Sequence, residues 1–223
     1  MPAWAVPGLS PLLPDNGIMH QFRDGVRNFR NHVFPTKQAL FRRLSRSQAP
    51  KALFLTCADS RVVPSLITST SPGELFVERN PGNIVPLYSD DLVGVSASIE
   101  YAATVLQVPE IIVCGHSDCG AVRAFLNPDK TGNIPAVARW LLYGDEAVCR
   151  LGRLYPSLSG EDALPVLTQL NVEVQVENLL THPSVRRRVE RGDLDVYGWV
   201  YDIASGVILA MDPQTKRFEK WPD

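Results

Sequence analysis

Two short, continuously apolar segments with a long helical segment between them limit the folds open to this chain. Ala52–Cys57 reads ALFLTC, and 111–114 reads IIVC. Apolar runs of this length without polar alternation are typical of strands buried on both faces of a parallel sheet. Segment 92–108 has the length and apolar content of a helix that ends before Pro109. Strand, helix and strand in this order predict parallel strands joined by a helix.

Further segments extend the same pattern along the chain. A third strand is predicted at 74–78, and paired turn residues within 196–221 predict an antiparallel ribbon. The predicted helices cover 18–34, 36–47 (after a break at Pro35), 92–108, 121–126, 135–143 and 162–181. We therefore expect an α/β fold with a mostly parallel central β-sheet flanked by helices, an N-terminal helical arm and a C-terminal antiparallel ribbon. Without repeats or linkers, we expect a loose arm over 1–17 and a single domain over 18–223.

Charge and hydropathy exclude several classes of partner. The chain has 24 acidic and 22 basic residues, whereas nucleic-acid binding needs a basic surface that replaces counterions. We interpret the short basic run 186–188 as a solvated helix face. No apolar run is long enough to span a bilayer, and the first residues lack the pattern of a secretion signal. We expect a cytoplasmic protein without nucleic-acid or membrane partners; a carboxysome or other microcompartment is an open alternative.

Cysteine and histidine residues follow the ends of two predicted strands. Cys57 ends one strand, and His116 and Cys119 lie just past the end of another, in the sequence GHSDCG. Reactive groups of parallel sheets gather at the C-terminal ends of the strands. Two cysteines and one histidine leave one position of a tetrahedral metal open, which is the pattern of catalytic zinc. We predict one Zn²⁺ per chain, with Cys114 in the core and Cys149 without a partner.

Asp59 and Arg61 stand beside the first of these ligands. They are two residues apart, so in an extended loop their side chains point the same way. Arginine can donate two parallel hydrogen bonds to a carboxylate. A loop salt bridge is the simpler interpretation. Next to Cys57, we predict a catalytic pair that orients a metal-bound water.

These motifs together resemble those of a known family. Cys57-x-Asp59-x-Arg61, then Glu78-Arg79-Asn80, then Gly115-His116-x-x-Cys119-Gly120 is similar to the ordered motif set of the beta-class carbonic anhydrases. The resemblance extends from about Met19 to the C-terminus. It looks closest to the plant-like branch, near the bacterial cyanate-associated and cyanobacterial enzymes.

The resemblance implies an activity and a substrate pocket. The activity is the reversible hydration of carbon dioxide to bicarbonate and a proton through a zinc-bound hydroxide, in carbon utilization. Gln48 matches the residue that contacts the substrate, and Phe76 and Tyr101 match apolar pocket walls, the tyrosine coming from a partner subunit. Pro81 stands where the family usually has a small or branched apolar residue, which affects the pocket shape.

The resemblance also implies a homodimer or a higher assembly of dimers. The apolar side chains in 18–47 give a physical reason, because an arm leaves them in water without a partner surface. Three alternatives stay open: the same zinc site acting on carbonyl sulfide or carbon disulfide, an inactive structural homologue, and a thiol redox protein. The absence of a Cys-x-x-Cys motif disfavours the last.

Overall fold

The computed structural model describes residues 19–89, 94–127 and 131–221, and it divides the chain into two compact units, Met1–Gln48 and Ala49–Asp223. The strands are β1 Ala52–Cys57, β2 Leu75–Asn80, β3 Glu110–His116, β4 Asp195–Tyr201, β5 Ile208–Met211 and β6 Phe218–Lys220. The helices are α1 Met19–Asn28, α2 Phe34–Thr36, α3 Gln38–Leu44, α4 Pro64–Ile67, α5 Gly94–Glu100, α6 Gly120–Phe125, α7 Pro135–Leu141, α8 Asp145–Leu154, α9 Gly160–Thr181 and α10 Pro183–Glu190.

The strands form one mixed sheet in the order β2-β1-β3-β4-β5-β6. The first four are mutually parallel, and β5 and β6 are added in antiparallel register. This confirms the predicted α/β class and the C-terminal ribbon. The strand predicted at 74–78 instead runs to Asn80, where its register partner is Cys57.

The two central strands are buried as their sequences predict. Every residue of β1 is buried, and in β3 only Glu110 is partly exposed. On one face of the sheet, Leu53 and Ile111 share a hydrophobic core with Val172 and Val176 of α9. Both faces of β1 and β3 are therefore withdrawn from water, which explains their lack of polar alternation.

Helix α9 lies unusually close to the sheet because two strand positions lack a side chain. A Cβ atom on Gly115 would lie 2.7 Å from Val172 Cγ2, and one on Gly198 would lie 3.0 Å from Val172 Cγ1. Any larger residue at Gly115 would push the helix outward. The polar residues Asn171 and Gln175 of α9 contact segment 82–85, which follows β2.

The first unit differs from the prediction at its proline. The helix predicted to stop at Pro35 continues from α1 through a π-helical turn, Phe29–Val33, into α2. Pro35 closely follows this π-helical turn, and departures from α-helical geometry are common next to a proline within a helical run. The helical run ends instead at Lys37, whose φ and ψ are −115° and 13°.

Two other regions refine the prediction. The helix predicted at 92–108 is described from Gly94 and ends in a π-helical turn, Tyr101–Val105; its predicted first residues lie outside the described residues. The solvated-face interpretation of 186–188 is wrong for Arg188. Its side chain is only 13% exposed and donates to the carbonyl of Ala103 in the last helical turn and to that of Val108 just after it, because the last carbonyls of a helix lack partners within the helix. Within the described ranges, we find no helix with the length and apolar character needed to cross a membrane.

Candidate metal centre

Three soft donor atoms converge at the C-terminal ends of the two central strands. Cys57 is the last residue of β1, His116 is the last residue of β3, and Cys119 precedes the first turn of α6. All three are buried, and their ligand atoms lie within 4.8 Å of one another. Parallel register explains the convergence, because β1 and β3 are hydrogen-bonded neighbours that end at the same edge.

The geometry fits a tetrahedral metal ion. The sulfurs of Cys57 and Cys119 are 3.8 Å apart, and two thiolates at about 2.3 Å from a tetrahedral zinc are separated by about 3.8 Å. His116 Nδ1 lies 2.9 Å from the carbonyl oxygen of Ser117, to which it donates as the protonated nitrogen. Among the described residues, the buried Nε2 has no hydrogen-bond partner. A metal ion would satisfy this nitrogen, and three protein ligands leave one position for a reactant.

The two sulfurs share one proton. The hydrogen bond from the Cys119 thiol lowers the pKa of Cys57 to about 4, with a further contribution from the Gly82 N–H at 3.4 Å. The pKa of Cys119 is raised well above its ordinary value, first by this hydrogen bond to Cys57 and then by burial. This hydrogen bond between the sulfurs, 3.8 Å apart, favours one thiolate and one thiol in the metal-free pair, so that a metal ion would displace the remaining proton.

We predict that zinc binding releases this proton. Because the pKa of Cys57 is lowered and that of Cys119 is raised, zinc should displace one proton, and its apparent affinity should rise about tenfold between pH 7.5 and pH 8.5. Chelator competition on the metal-free protein measures the affinity. Calorimetry in buffers of different ionisation enthalpy should count about one proton released per zinc. An affinity that is the same at both pH values would contradict the shared proton.

The predicted pair of Asp59 and Arg61 is formed beside these ligands. Arg61 Nε and Nη2 donate to the two carboxylate oxygens of Asp59 at 2.9 and 2.8 Å, and the Arg61 backbone N–H also donates to Oδ1. The hydrogen bonds from Arg61 hold the pKa of Asp59 well below its ordinary value. Asp59 Oδ2 lies 3.8 Å from His116 Nε2. An ionised acceptor therefore faces the position where a metal would bind.

Two further residues hold this pair and were not given a role from the sequence. Arg79 donates to the backbone carbonyls of Cys57 and Asp59, at 3.1 and 2.6 Å. Asp118 accepts from Arg61 Nη1 at 3.3 Å and also pairs with Arg123. Arg79 belongs to the motif Glu78-Arg79-Asn80, but the motif does not indicate which groups its side chain contacts. Asp118 lies between two predicted ligands, and no feature of its spacing indicated this role.

The structure gives the positions of the residues predicted for the substrate pocket but not their contacts with a substrate. The rings of Phe76 and Tyr101 contact each other within one chain, with centroids 5.9 Å apart, and Tyr101 is 42% exposed. The carbonyl of Pro81 accepts a hydrogen bond from the Trp140 indole at 2.8 Å. Gln48 is exposed in the first unit. Their contacts with a substrate stay predictions.

The remaining cysteines behave as the sequence predicts. Cys114 is fully buried in β3, and burial raises the pKa of its thiol to about 12. Cys149 is exposed and unpaired. Cys57 and Cys114 lie on adjacent strands, but only the Cys57 sulfur belongs to the three converging ligand atoms.

Comparison with known proteins agrees with this site. The sequence model of the carbonic anhydrase family matches residues 52–208, a range that includes all three candidate ligands. A carbonic anhydrase of Pseudomonas aeruginosa is 48% identical over 200 residues, covering 90% of each chain. One from the cyanobacterium Synechocystis is 40% identical, over 87% of this chain and 71% of that protein.

Solved structures share the fold over most of its length. The beta-carbonic anhydrase CcaA aligns with a TM-score of 0.89 and 39% identity, over 92% of this chain and 100% of that one. One of two beta-carbonic anhydrases from Sordaria macrospora, described as tetrameric, aligns with a TM-score of 0.77 and 29% identity, over 86% and 96%.

Proposed function

Because this chain belongs to the beta-class carbonic anhydrases, we propose that Cys57, His116 and Cys119 hold one zinc ion at which carbon dioxide is hydrated. The chain is a carbonic anhydrase, a lyase that interconverts carbon dioxide with bicarbonate and a proton. One observation carries the zinc assignment: the buried Nε2 of His116, which has no hydrogen-bond partner in the described part of the chain, lies close to two sulfurs at tetrahedral spacing. The family membership disfavours carbonyl sulfide or carbon disulfide as the substrate.

When bound, zinc supplies a Lewis acid that activates water near neutral pH. The side chains of the protein would orient that water. Asp59, kept ionised by Arg61, presents a hydrogen-bond acceptor beside the open coordination position. A water held there would donate a hydrogen bond to Asp59, and this would turn one of its lone pairs toward the substrate. Arg61 also donates to the backbone carbonyl of Asp118, so the pair is fixed at two points before the substrate arrives.

The substrate pocket is the finer part of the proposal. We assign Gln48 as a hydrogen-bond donor to the substrate oxygen, where negative charge develops during attack. Phe76, Pro81 and Tyr101 supply apolar walls. The exposure of Tyr101 supports its contribution to a partner subunit, because an aromatic side chain left 42% exposed is available for an interface.

A cytoplasmic location is supported by the free cysteines among the described residues.

A direct assay tests the function. Purified protein should contain about one zinc per chain and hydrate carbon dioxide in a stopped-flow indicator assay. Removal of the metal by a chelator should abolish the activity, and added zinc should restore it. Full activity after complete metal removal would contradict the zinc assignment, while activity on carbonyl sulfide alone would contradict the substrate.

We predict that the active unit is a dimer or a higher assembly of dimers. The arm exposes three large apolar side chains, Phe22 at 60%, Val26 at 66% and Phe29 at 45%. An exposed apolar surface of this kind favours the binding of a partner subunit. The tetrameric Sordaria enzyme supports an assembly. Light scattering should give at least twice the chain mass of 24.7 kDa. Deleting residues through Ser47 should lower both assembly and activity, although no zinc ligand is removed.

Point variants separate assembly from loss of the arm. Val26→Glu places a charge on the exposed apolar surface and should weaken the assembly, whereas Arg30→Glu at an exposed polar position is the matched control. A fully active monomer in dilute solution would end the proposal.

A further inference from the structure

The turn that follows β2 directs a backbone N–H at a metal-ligand sulfur. This turn, Pro81–Asn83, is a short 3₁₀ segment in which Gly82 has a φ of +81°. The Gly82 N–H donates to Cys57 Sγ at 3.4 Å. Only glycine adopts this φ without strain, and a Cβ there would lie 3.1 Å from the Ala121 side chain. The position of this N–H therefore depends on how the turn is held.

Side chains from two helices hold the peptide groups on both sides of Gly82. Trp140 of α7 donates its indole Nε1–H to the carbonyl of Pro81 at 2.8 Å. That carbonyl belongs to the same peptide group as the Gly82 N–H. On the other side, Asn171 of α9 donates its Nδ2 to the carbonyl of Gly82 at 3.0 Å. The peptide that faces Cys57 is thus fixed at its own carbonyl and at the next one.

Asn171 is itself fixed by a row of buried amides. Gln175 Nε2 donates to Asn171 Oδ1 at 3.0 Å, and Gln175 Oε1 accepts the Val85 N–H at 2.8 Å. Asn178 donates to the Val85 carbonyl at 2.9 Å. Asn171 and Gln175 have no exposed surface. The spacing i, i+4, i+7 places all three amide side chains on one helix face, which lies along the backbone of segment 82–85.

We propose that Trp140 and Asn171 are positioning residues for the metal site, which hold the Gly82 N–H against the sulfur of Cys57. A hydrogen bond to a thiolate lowers the energy of its lone pairs and fixes its direction toward the metal. Outer contacts of this kind commonly change metal affinity by about 10- to 100-fold. The inference rests on the proposed function, because it requires that Cys57 binds the metal.

Two variants test the proposal. Trp140→Phe removes the indole N–H and keeps an aromatic ring. Asn171→Ser is shorter than asparagine and ends before the Gly82 carbonyl. We expect each to lower zinc affinity about tenfold in chelator competition. In the cobalt-substituted protein, the thiolate-to-cobalt charge-transfer band should move to longer wavelength, because the sulfur lone pairs rise in energy when the hydrogen bond weakens.

Matched variants control for stability and ring size. Trp199→Phe makes the same change at an indole whose Nε1 has no partner among the described residues. Thr168→Ser removes a buried methyl group from the same helix and keeps the hydroxyl that donates to the Leu164 carbonyl. Both should keep the wild-type cobalt spectrum even if the melting temperature falls.

The outcomes separate this inference from the proposed function. An unchanged cobalt spectrum and zinc affinity in both Trp140→Phe and Asn171→Ser would overturn the positioning role. The same spectral shift in the control variants would also overturn it, since a general loss of packing would then be the cause. Failure of the wild-type chain to bind either metal would instead reject the metal site itself.

Discussion

We expect Cys57→Ala to lose bound metal and carbon dioxide hydration together. The substitution removes one of three protein ligands and leaves the His116 nitrogen and the Cys119 sulfur without a common centre. It also removes the sulfur that accepts the Gly82 N–H. Elemental analysis of the purified variant should find zinc far below one per chain. Stopped-flow activity should fall to background, because the nucleophile depends on the metal.

Cys114→Ala is the matched control for this prediction. Cys114 is a buried thiol on the adjacent strand, and its sulfur is not one of the three ligand atoms. The variant should keep its zinc and its activity, with a loss of stability of about 1 kcal/mol from the small cavity. Full zinc occupancy in Cys57→Ala would rule out Cys57 as a ligand. Equal zinc loss in both variants would point to general unfolding of the sheet.

The part of the site that sequence could predict lies at strand ends. Cys57 and His116 each follow a continuously apolar segment, and parallel strands place such ends at one edge of a sheet. This logic needs no knowledge of tertiary contacts. Asp59 and Arg61 were predictable for the same reason, since their contact is local and depends only on a separation of two residues.

The contacts that hold the site could not be predicted in this way. Asn171 lies 89 residues from the carbonyl it binds, and Trp140 lies 59 residues from Pro81. In the sequence, the polar positions of α9 resemble the exposed face of an ordinary helix. They are buried because Asn171 and Gln175 face the backbone of segment 82–85, which lies 89 and 90 residues away along the chain. Arg188 shows the same limit, because its buried contacts depend on distant helix ends.

We expect Asp59→Ala and Arg61→Ala each to lower turnover roughly 100-fold or more while zinc is retained. Neither residue is one of the three ligands, so metal content should stay near one per chain. Without Arg61, the Asp59 carboxylate loses the hydrogen bonds that fix its direction. Without Asp59, the water at the open position has no acceptor. Losses of about 10²- to 10⁴-fold are usual when a group that handles a proton is removed.

The double variant decides whether the two residues act as one unit. If Arg61 works only by holding Asp59, then the double variant should be little worse than either single one, because coupled residues are not additive. Arg123→Ala is the outer control, since Arg123 contacts Asp118 and Glu161 while the bonds between Arg61 and Asp59 stay intact. It should retain most of the activity. Losses from Asp59→Ala and Arg61→Ala that multiply in the double variant would mean that Arg61 acts on the substrate independently of Asp59.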